Sequence, residues 1–467
     1  MSLLSKLGIG RSRELGYYSN PKVRNTAMKL LSRADETWFE SSFPIEQKLE
    51  ETVKYLKKAL MLIYEREAML GGSRSPILED FESYREILNS SKLLKSFVSP
   101  TRAHKAPSTS NPKVSIITYV NSNFLPPVVT NMENVGATVS QYDAAKDFGE
   151  DFPNSIHEMF KNLLIIRSDI KELLENRPWL NAMKKVEQDS DVVWYEWANR
   201  NAVFGSQYSY PNVRKVIRLH SYELLIPQIP LIDWSNIDEV VVVSPMMERV
   251  FRQSVPEAAH VDVTVISNFI DVTRFSTSKT LAAAKNIGLI GWSPVAKDLT
   301  FALDVIEELT VQDSSFRLHL FGSEPDYEAA AKNEELVALY ARLDALVAQG
   351  TVIKHGWIDR IEDKLDDIGF ILSTSSRESF HLGLFEGVLS GAVPVVRKWP
   401  FWGDAGSPAD FMPAEWIISN PKQAAKRVLS LQNDVKFNAS REGSTQFARN
   451  FFSEIDYDNL YKSMWEK

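Results

Sequence analysis

Short apolar runs alternate with amphipathic stretches twice over, and this constrains the chain more than any other feature. KVSIITYV, DVVWYEW, KVIRLH, EVVVVS and VTVIS are each followed by polar or helix-like sequence. After SNFIDVTRFSTSKTLAAAKN the series restarts with NIGLIGW, FRLHLFG, TVIKHGW, GFILSTS and VPVVRKW. The stretches between, such as LTFALDVIEELT and YEAAAKNEELVALYARLDALVAQ, have the length and period of helices. Such alternation predicts parallel βαβ units, because a helical crossover must return the chain to the start of the next strand. The expectation is an α/β chain with two doubly wound domains, 113–277 and 278–447, and a C-terminal helix 448–467 that returns to the first. Sheets of this kind carry ligands at the carboxyl ends of their strands, and a crevice between two such domains suits a nucleotide.

Composition narrows the class. A chain of 467 residues has room for about three domain-sized units. An apolar share of 44% with 24% charged residues is that of a globular protein. The net charge of −8 argues against general nucleic-acid binding, which needs phosphate-neutralising cations. Residues 1–112 hold 18 Lys/Arg against 13 Asp/Glu, a local +5 that leaves −13 for the remainder. That front end suits contact with an anionic membrane face or polymer. The absence of cysteine excludes disulfides, cysteine-ligated zinc and a thiol nucleophile together. MSLLSKLGIGRSREL lacks the apolar core of a signal peptide, and no run of about 18 apolar residues is present. The expected location is the cytoplasm, with peripheral contact at the inner membrane face left open.

The first 112 residues read as helical. Ile45, Leu49, Val53, Leu56, Leu60 and Ile63 form one apolar stripe at steps of three and four. GGSRSP ends it, ILEDFESYREILNSSKLLKSF reads as a second helix, and FVSPTRAHKAPSTSNPK reads as a linker. The stripe either packs on its own domain or serves a homo-oligomer.

Candidate chemistry gathers in the second half. IGWSPVAKD puts Lys297 between a buried strand and a helix, where a cation and exposed N–H groups together attract phosphate; the alternative is a solvated lysine. SRESFHLGLFEGVLSG follows the strand GFILSTS, and its helix should run from near His381 towards Ser390. Glu378 then sits by the positive helix end, while Glu386 lies among Leu384, Phe385 and Val388 and needs a partner. Ribose or sugar hydroxyls would serve, as would a protein donor. Asp189-Ser190-Asp191 precedes a strand instead of following one, and the seven histidines show no ligand-like spacing, so no metal is expected. Trp194 to Asn199, WYEWAN, ends a strand with aromatics that suit either a sugar ring or a core.

In their order, IGWSPVAKD, HLFGSEPDYEAA, IKHGWIDRIEDKL and SRESFHLGLFEGVLSGAVPVV resemble the donor-binding half of retaining glycosyltransferases with the GT-B fold, most closely glycosyltransferase family 4. KVIRLHSYE, DEVVVVSPMMERVF and VTVISNFIDVTRF are similar to that family's first half. The resemblance implies two Rossmann-like domains facing a cleft, preceded here by a helical N-terminal extension. It implies that Glu378 contacts the transferred sugar, Glu386 the ribose, Lys297 the leaving diphosphate and His220 the donor sugar. Gly291 and Trp292, with Ser379, Phe380, His381 and Leu382, fall where the family approaches the phosphates. Asn268 matches a family asparagine before the second domain. The implied reaction moves a sugar from a nucleotide-diphosphate sugar, UDP-linked in most such enzymes, to a glycan or lipid-linked acceptor, with retention and without a metal. Bacterial surface polysaccharide synthesis is the setting it implies.

The chain departs from the family at three points. Trp292 stands where an arginine is usual, leaving Arg377, Arg397 and Lys398 as candidate replacements; E-S-F-H replaces E-G-F-G; and YVNSNFLPPVV lacks a glycine-rich turn. These departures keep open a catalytically weak binding or scaffolding subunit, and the two-domain fold itself leaves a second rival, an epimerase that interconverts donor sugars without an acceptor.

Overall fold

A computed structural model of the chain describes residues 21–64, 76–98, 108–119, 121–168, 173–174, 177–280, 282–292, 297–324, 327 and 333–466. The expectations placed on 1–15, on most of GGSRSP and on the middle of the linker lie outside the described residues. The described chain forms two compact units, 21–266 with 456–466, and 267–455.

The first unit opens with helices α1 (Pro21–Phe39), α2 (Ile45–Ile63) and α3 (Phe81–Ser90). The stripe on α2 lies against α1 and against α4 (Ile156–Arg167), burying Leu49, Val53, Leu56, Leu60 and Ile63. It is used within the unit. The expected second helix is broken into Pro76–Glu79, α3 and Lys92–Ser96. Asp80 and Ser91 cause the breaks, because each side chain accepts an N–H of the turn that follows (Ser83 N at 3.3 Å, Leu94 N at 3.2 Å).

Six strands follow: β1 (Lys113–Thr118), β2 (Thr138–Asp143), β3 (Val192–Glu196), β4 (Arg214–Leu219), β5 (Glu239–Val242) and β6 (Asp262–Val265). They form one parallel sheet in the order β2-β1-β3-β4-β5-β6. β2, TVSQYD, has no apolar run for a sequence reading to find: as an edge strand it is only half covered and carries polar residues. The C-terminal helix Tyr457–Glu466 returns to this unit, packing Tyr461, Met464 and Trp465 on Val114, Ile116 and Trp194.

The second unit holds β7 (Asn286–Ile290), β8 (Arg317–Phe321), β9 (Val352–Gly356), β10 (Phe370–Ser373), β11 (Val393–Arg397) and the two-residue β12 (Ile417–Ile418). They too are all parallel, in the order β12-β11-β10-β7-β8-β9. Helix α5 (Leu299–Gln312) covers one face through Phe301, Leu303 and Ile306. On the other face α6 (Leu382–Leu389) lies almost on the strands, with α7 (Asp434–Ser453) beside it. The approach needs glycine: a Cβ on Gly387 would stand 2.5 Å from Cγ1 of Ile371.

The units divide at 266/267 and 455/456, against 277/278 and 447/448 expected from the sequence. Residues after β6 belong to the second unit because Arg274 pairs with Glu362, and Arg441 donates to the Thr277 carbonyl at 2.8 Å. The return begins late because α7 is one continuous helix of the second unit.

Gly387→Ala should lower stability by about 1–3 kcal/mol through overpacking on Ile371. Gly443→Ala, at a helical position with open space around it, should be neutral or gain up to about 1 kcal/mol. Urea midpoints of the two variants against the wild type check this pair.

Candidate functional site

Each sheet has one place where neighbouring strands send their connections in opposite directions, and loops diverging there leave a crevice. In the second unit it lies between β7 and β10, where the loop carrying Gly291 and Lys297 meets the loop carrying Glu378. Gly291 turns the chain at a φ of +72°, a conformation that suits glycine, and donates its N–H to the Phe321 carbonyl at 2.7 Å. Residues 293–296 lie outside the described residues. Lys297 re-emerges with its Nζ donating to Oε1 of Glu378.

Three neighbours hold that pair. Ser375 Oγ donates to the same carboxylate oxygen at 2.7 Å, Trp402 Nε1 donates to the Glu378 carbonyl at 2.7 Å, and Thr374 Oγ1 donates to the Lys297 carbonyl. Burial raises the pKa of Glu378, but the Lys297 ammonium and the Ser375 hydroxyl outweigh it and bring it down to about 2. Glu378 is therefore ionised and paired. Arg397 is taken up elsewhere: it donates to Asp298 at 2.5 Å and to the Thr374 carbonyl at 3.0 Å. It thus fixes Asp298, the cap of α5.

His381 precedes α6 in a left-handed conformation, φ +69°, with a buried ring. Ser373 Oγ lies 2.6 Å from its Nδ1 and also receives the Trp399 indole N–H at 3.3 Å. Burial, aided by the Lys297 charge, pushes the pKa of His381 down to about 3. The ring is neutral at pH 7. The His381 side chain makes no cap bond to the first N–H groups of α6, and exposed N–H groups at a helix start attract an anion.

Glu386 lies one helical turn further on, half-buried, and forms no hydrogen bond among the described residues. Burial raises its pKa; Arg274 opposes this, but its guanidinium is bonded to Glu362 Oε1 at 2.6 and 3.0 Å. Glu386 is an acceptor with capacity to spare.

The structure thus brings Lys297, Glu378, Ser379, His381, Leu382 and Gly291 together, with Glu386 beyond them. Trp292 turns away: it is 2% exposed in the core, its N–H on the Gly322 carbonyl at 3.3 Å. Phe380 is a core side chain too, stacked at 4.9 Å on Phe385 and packed on Phe411, which leaves only its backbone for a ligand. His220 belongs to the first unit, buried, with Nε2 2.8 Å from Glu196 and its ring stacked 3.9 Å from Trp197. Asn268 is buried. In WYEWAN, Trp194, Tyr195 and Glu196 are core; Asp191 caps the Lys113 N–H at 2.8 Å. Among the described residues no group of three or more acidic or histidine side chains is arranged to hold a metal ion. Ser375, Thr374 and Trp402 escaped the sequence reading, although the small polar run STSS at a strand end was a signal for the first two.

No protein-family model matches the sequence, and a comparison with curated proteins finds no match. Solved structures do match. Anabaena HepE, in complex with UDP and glucose, aligns over 76% of this chain and 98% of its own, with 16% identity and a TM-score of 0.55. Sucrose-phosphate synthase from Thermosynechococcus elongatus aligns over 75% and 97%, with 14% identity and a TM-score of 0.50. The fold is GT-B. S. aureus TarM aligns over 62% of this chain and 59% of its own, with 15% identity and a TM-score of 0.49, so the match spans less than two thirds of that protein. Within the GT-B fold, the Lys297–Glu378 pair occupies the strand-order switch of the second domain.

The pKa of Glu378 in the folded state lies below its usual 4.5, so the pair's contribution is present above that pH and is lost as pH falls towards 2. Lys297→Met should therefore cost about 2–3 kcal/mol near pH 7, with the gap to wild type closing at pH 2–3. Urea melts across that range test the sign.

Proposed function

We propose that this chain is a glycosyltransferase that moves a sugar from a nucleotide-diphosphate sugar, UDP-linked, to a glycan or lipid-linked acceptor with retention of configuration. The observation that carries this is a sheet-end site holding a lysine, an ionised glutamate, an uncapped helix start and, eight residues along, a glutamate with free acceptor capacity. The second unit binds the donor and the first the acceptor. Glu386 takes the two ribose hydroxyls, since a carboxylate accepts both. The diphosphate meets the N–H groups at the start of α6 and the Lys297 ammonium, while Glu378 takes hydroxyls of the transferred sugar.

Breaking the sugar–diphosphate bond builds positive charge at the anomeric carbon and negative charge on the leaving group. Lys297 stabilises the second more in the transition state than before it, which is what accelerates a step. A lost charge-assisted contact of about 2–3 kcal/mol would slow the step about 30–150-fold. Side chains and helix ends carry the charge of the diphosphate, with no metal needed. Surface polysaccharide assembly at the inner face of a membrane fits the basic front end; among the described residues no helix is long and apolar enough to cross a membrane.

The rival reading, a binding or scaffolding subunit, is favoured by the fate of Trp292. The indole is core, and Arg397 is tied to Asp298, so neither supplies the missing phosphate charge. Thermal unfolding with UDP, GDP, ADP and their sugar conjugates separates the two. UDP at 100 times its Kd should add about 2.7 kcal/mol of apparent stability, and Glu386→Ala should abolish the gain. No response to any nucleotide would overturn the transferase reading.

A further inference from the structure

The first unit also has a strand-order switch, between β1 and β3, and it holds a cation that no carboxylate of the described residues pairs with. Arg200 follows β3 by four residues and begins the short helix Arg200–Gly205. Its guanidinium carbon lies 4.6 Å over the ring of Tyr119, which follows β1. Among the described residues it pairs with no carboxylate; its near neighbours are the phenols of Tyr119 and Tyr222, and its Nε is sealed from solvent without an acceptor. Four buried cations of this unit are paired among the described residues: Arg167 with Asp233, Arg214 with Glu239, Lys215 with Glu187 and Arg218 with Glu196.

Its surroundings are those of a ligand site. The Asn199 amide donates to the Tyr222 hydroxyl at 3.2 Å, and the adjoining Gln228, 5% exposed, has an Oε1 with no partner. Phe124 and Tyr222 stand 6.3 and 5.3 Å from the ring of Trp197, giving apolar faces of the kind that pack on the C–H faces of sugars. Trp197 itself is held at a φ of +67°, locked by its N–H on the Arg218 carbonyl and its indole N–H on the Asn121 carbonyl, both at 3.0 Å. A half-buried guanidinium that bonds a phenol and leaves its Nε without an acceptor gains from an anion, and its planar fork matches carboxylate and phosphate.

We propose that Arg200, with Tyr119, Asn199 and Tyr222 around it, is the anion-reading part of the acceptor site, so that the acceptor is a saccharide or saccharide carrier bearing a carboxylate or a phosphate. This rests on the transferase reading above.

The test is a calorimetric titration of the full chain with four probes: a glucuronate oligosaccharide, a phosphodiester-linked oligosaccharide, an isoprenyl phosphate in detergent micelles, and a neutral glucan oligosaccharide. At least one anionic probe should bind ten times or more tighter than the glucan, and which one binds identifies the source of the charge. Arg200→Met should weaken that probe about 10–100-fold, Arg200→Lys should recover part of the loss, and UDP affinity should stay within twofold of wild type in both variants. Equal binding of the neutral glucan, no binding of any anionic probe, or an Arg200→Met variant that binds like wild type would overturn the proposal. If UDP fails to bind wild type while the anion site responds as described, the transferase reading falls and the anion site stands.

Discussion

Parallel strands force every connection to cross over, and a sheet wound in both directions from its middle must somewhere set two neighbouring strands whose loops part. That constraint places everything of chemical interest in this chain. In the second unit the strands are β7 and β10, and the parting loops deliver Lys297, Glu378 and the start of α6 to one spot. In the first they are β1 and β3, and the loops deliver Tyr119 and Arg200. The side chains need no regular element of their own; the sheet order brings them together.

The two crevices treat charge differently. In the second unit an ionised carboxylate and an ammonium are held against each other, anchored by Ser375, Trp402 and Thr374. Burial alone would drive the Glu378 carboxyl towards neutrality, and the Lys297 ammonium beside it keeps it ionised. Glu386 sits beyond them with its acceptors unused. In the first unit Glu196 is shared by Arg218, His220 and Trp194, a closed set that orients His220, whereas among the described residues Arg200 meets phenols and no acid. Matched charges hold the frame. The incomplete ones are where a ligand has something to add.

Much of the frame was legible from hydrophobic pattern alone. Ten strands announce themselves as apolar runs, eight of them central strands with both faces covered and two, β6 and β9, edge strands that still carry apolar residues; β2, an edge strand with a polar sequence, does not, and β12 is two residues long. The start of α6 at His381 and its end at Ser390 follow from a small-residue turn before a β-like run. The breaks at Asp80 and Ser91 were less visible, because a capping side chain competes with helix continuation only when its geometry is known.

The sequence by itself determined the fold class, the repeat of the α/β pattern and the pair of glutamates eight residues apart, because these depend on periodicity and spacing along one chain. Tertiary structure alone decided the partners. Lys297 and Glu378 are 81 residues apart and meet only because β7 and β10 are neighbours. Trp292 became core and Arg397 a brace for Asp298, since packing and hydrogen bonding across the sheet assign their roles. Arg200 looks like any arginine in the sequence. That it meets the phenols of Tyr119 and Tyr222 and no carboxylate among the described residues is decided across strands, and no local pattern holds that information.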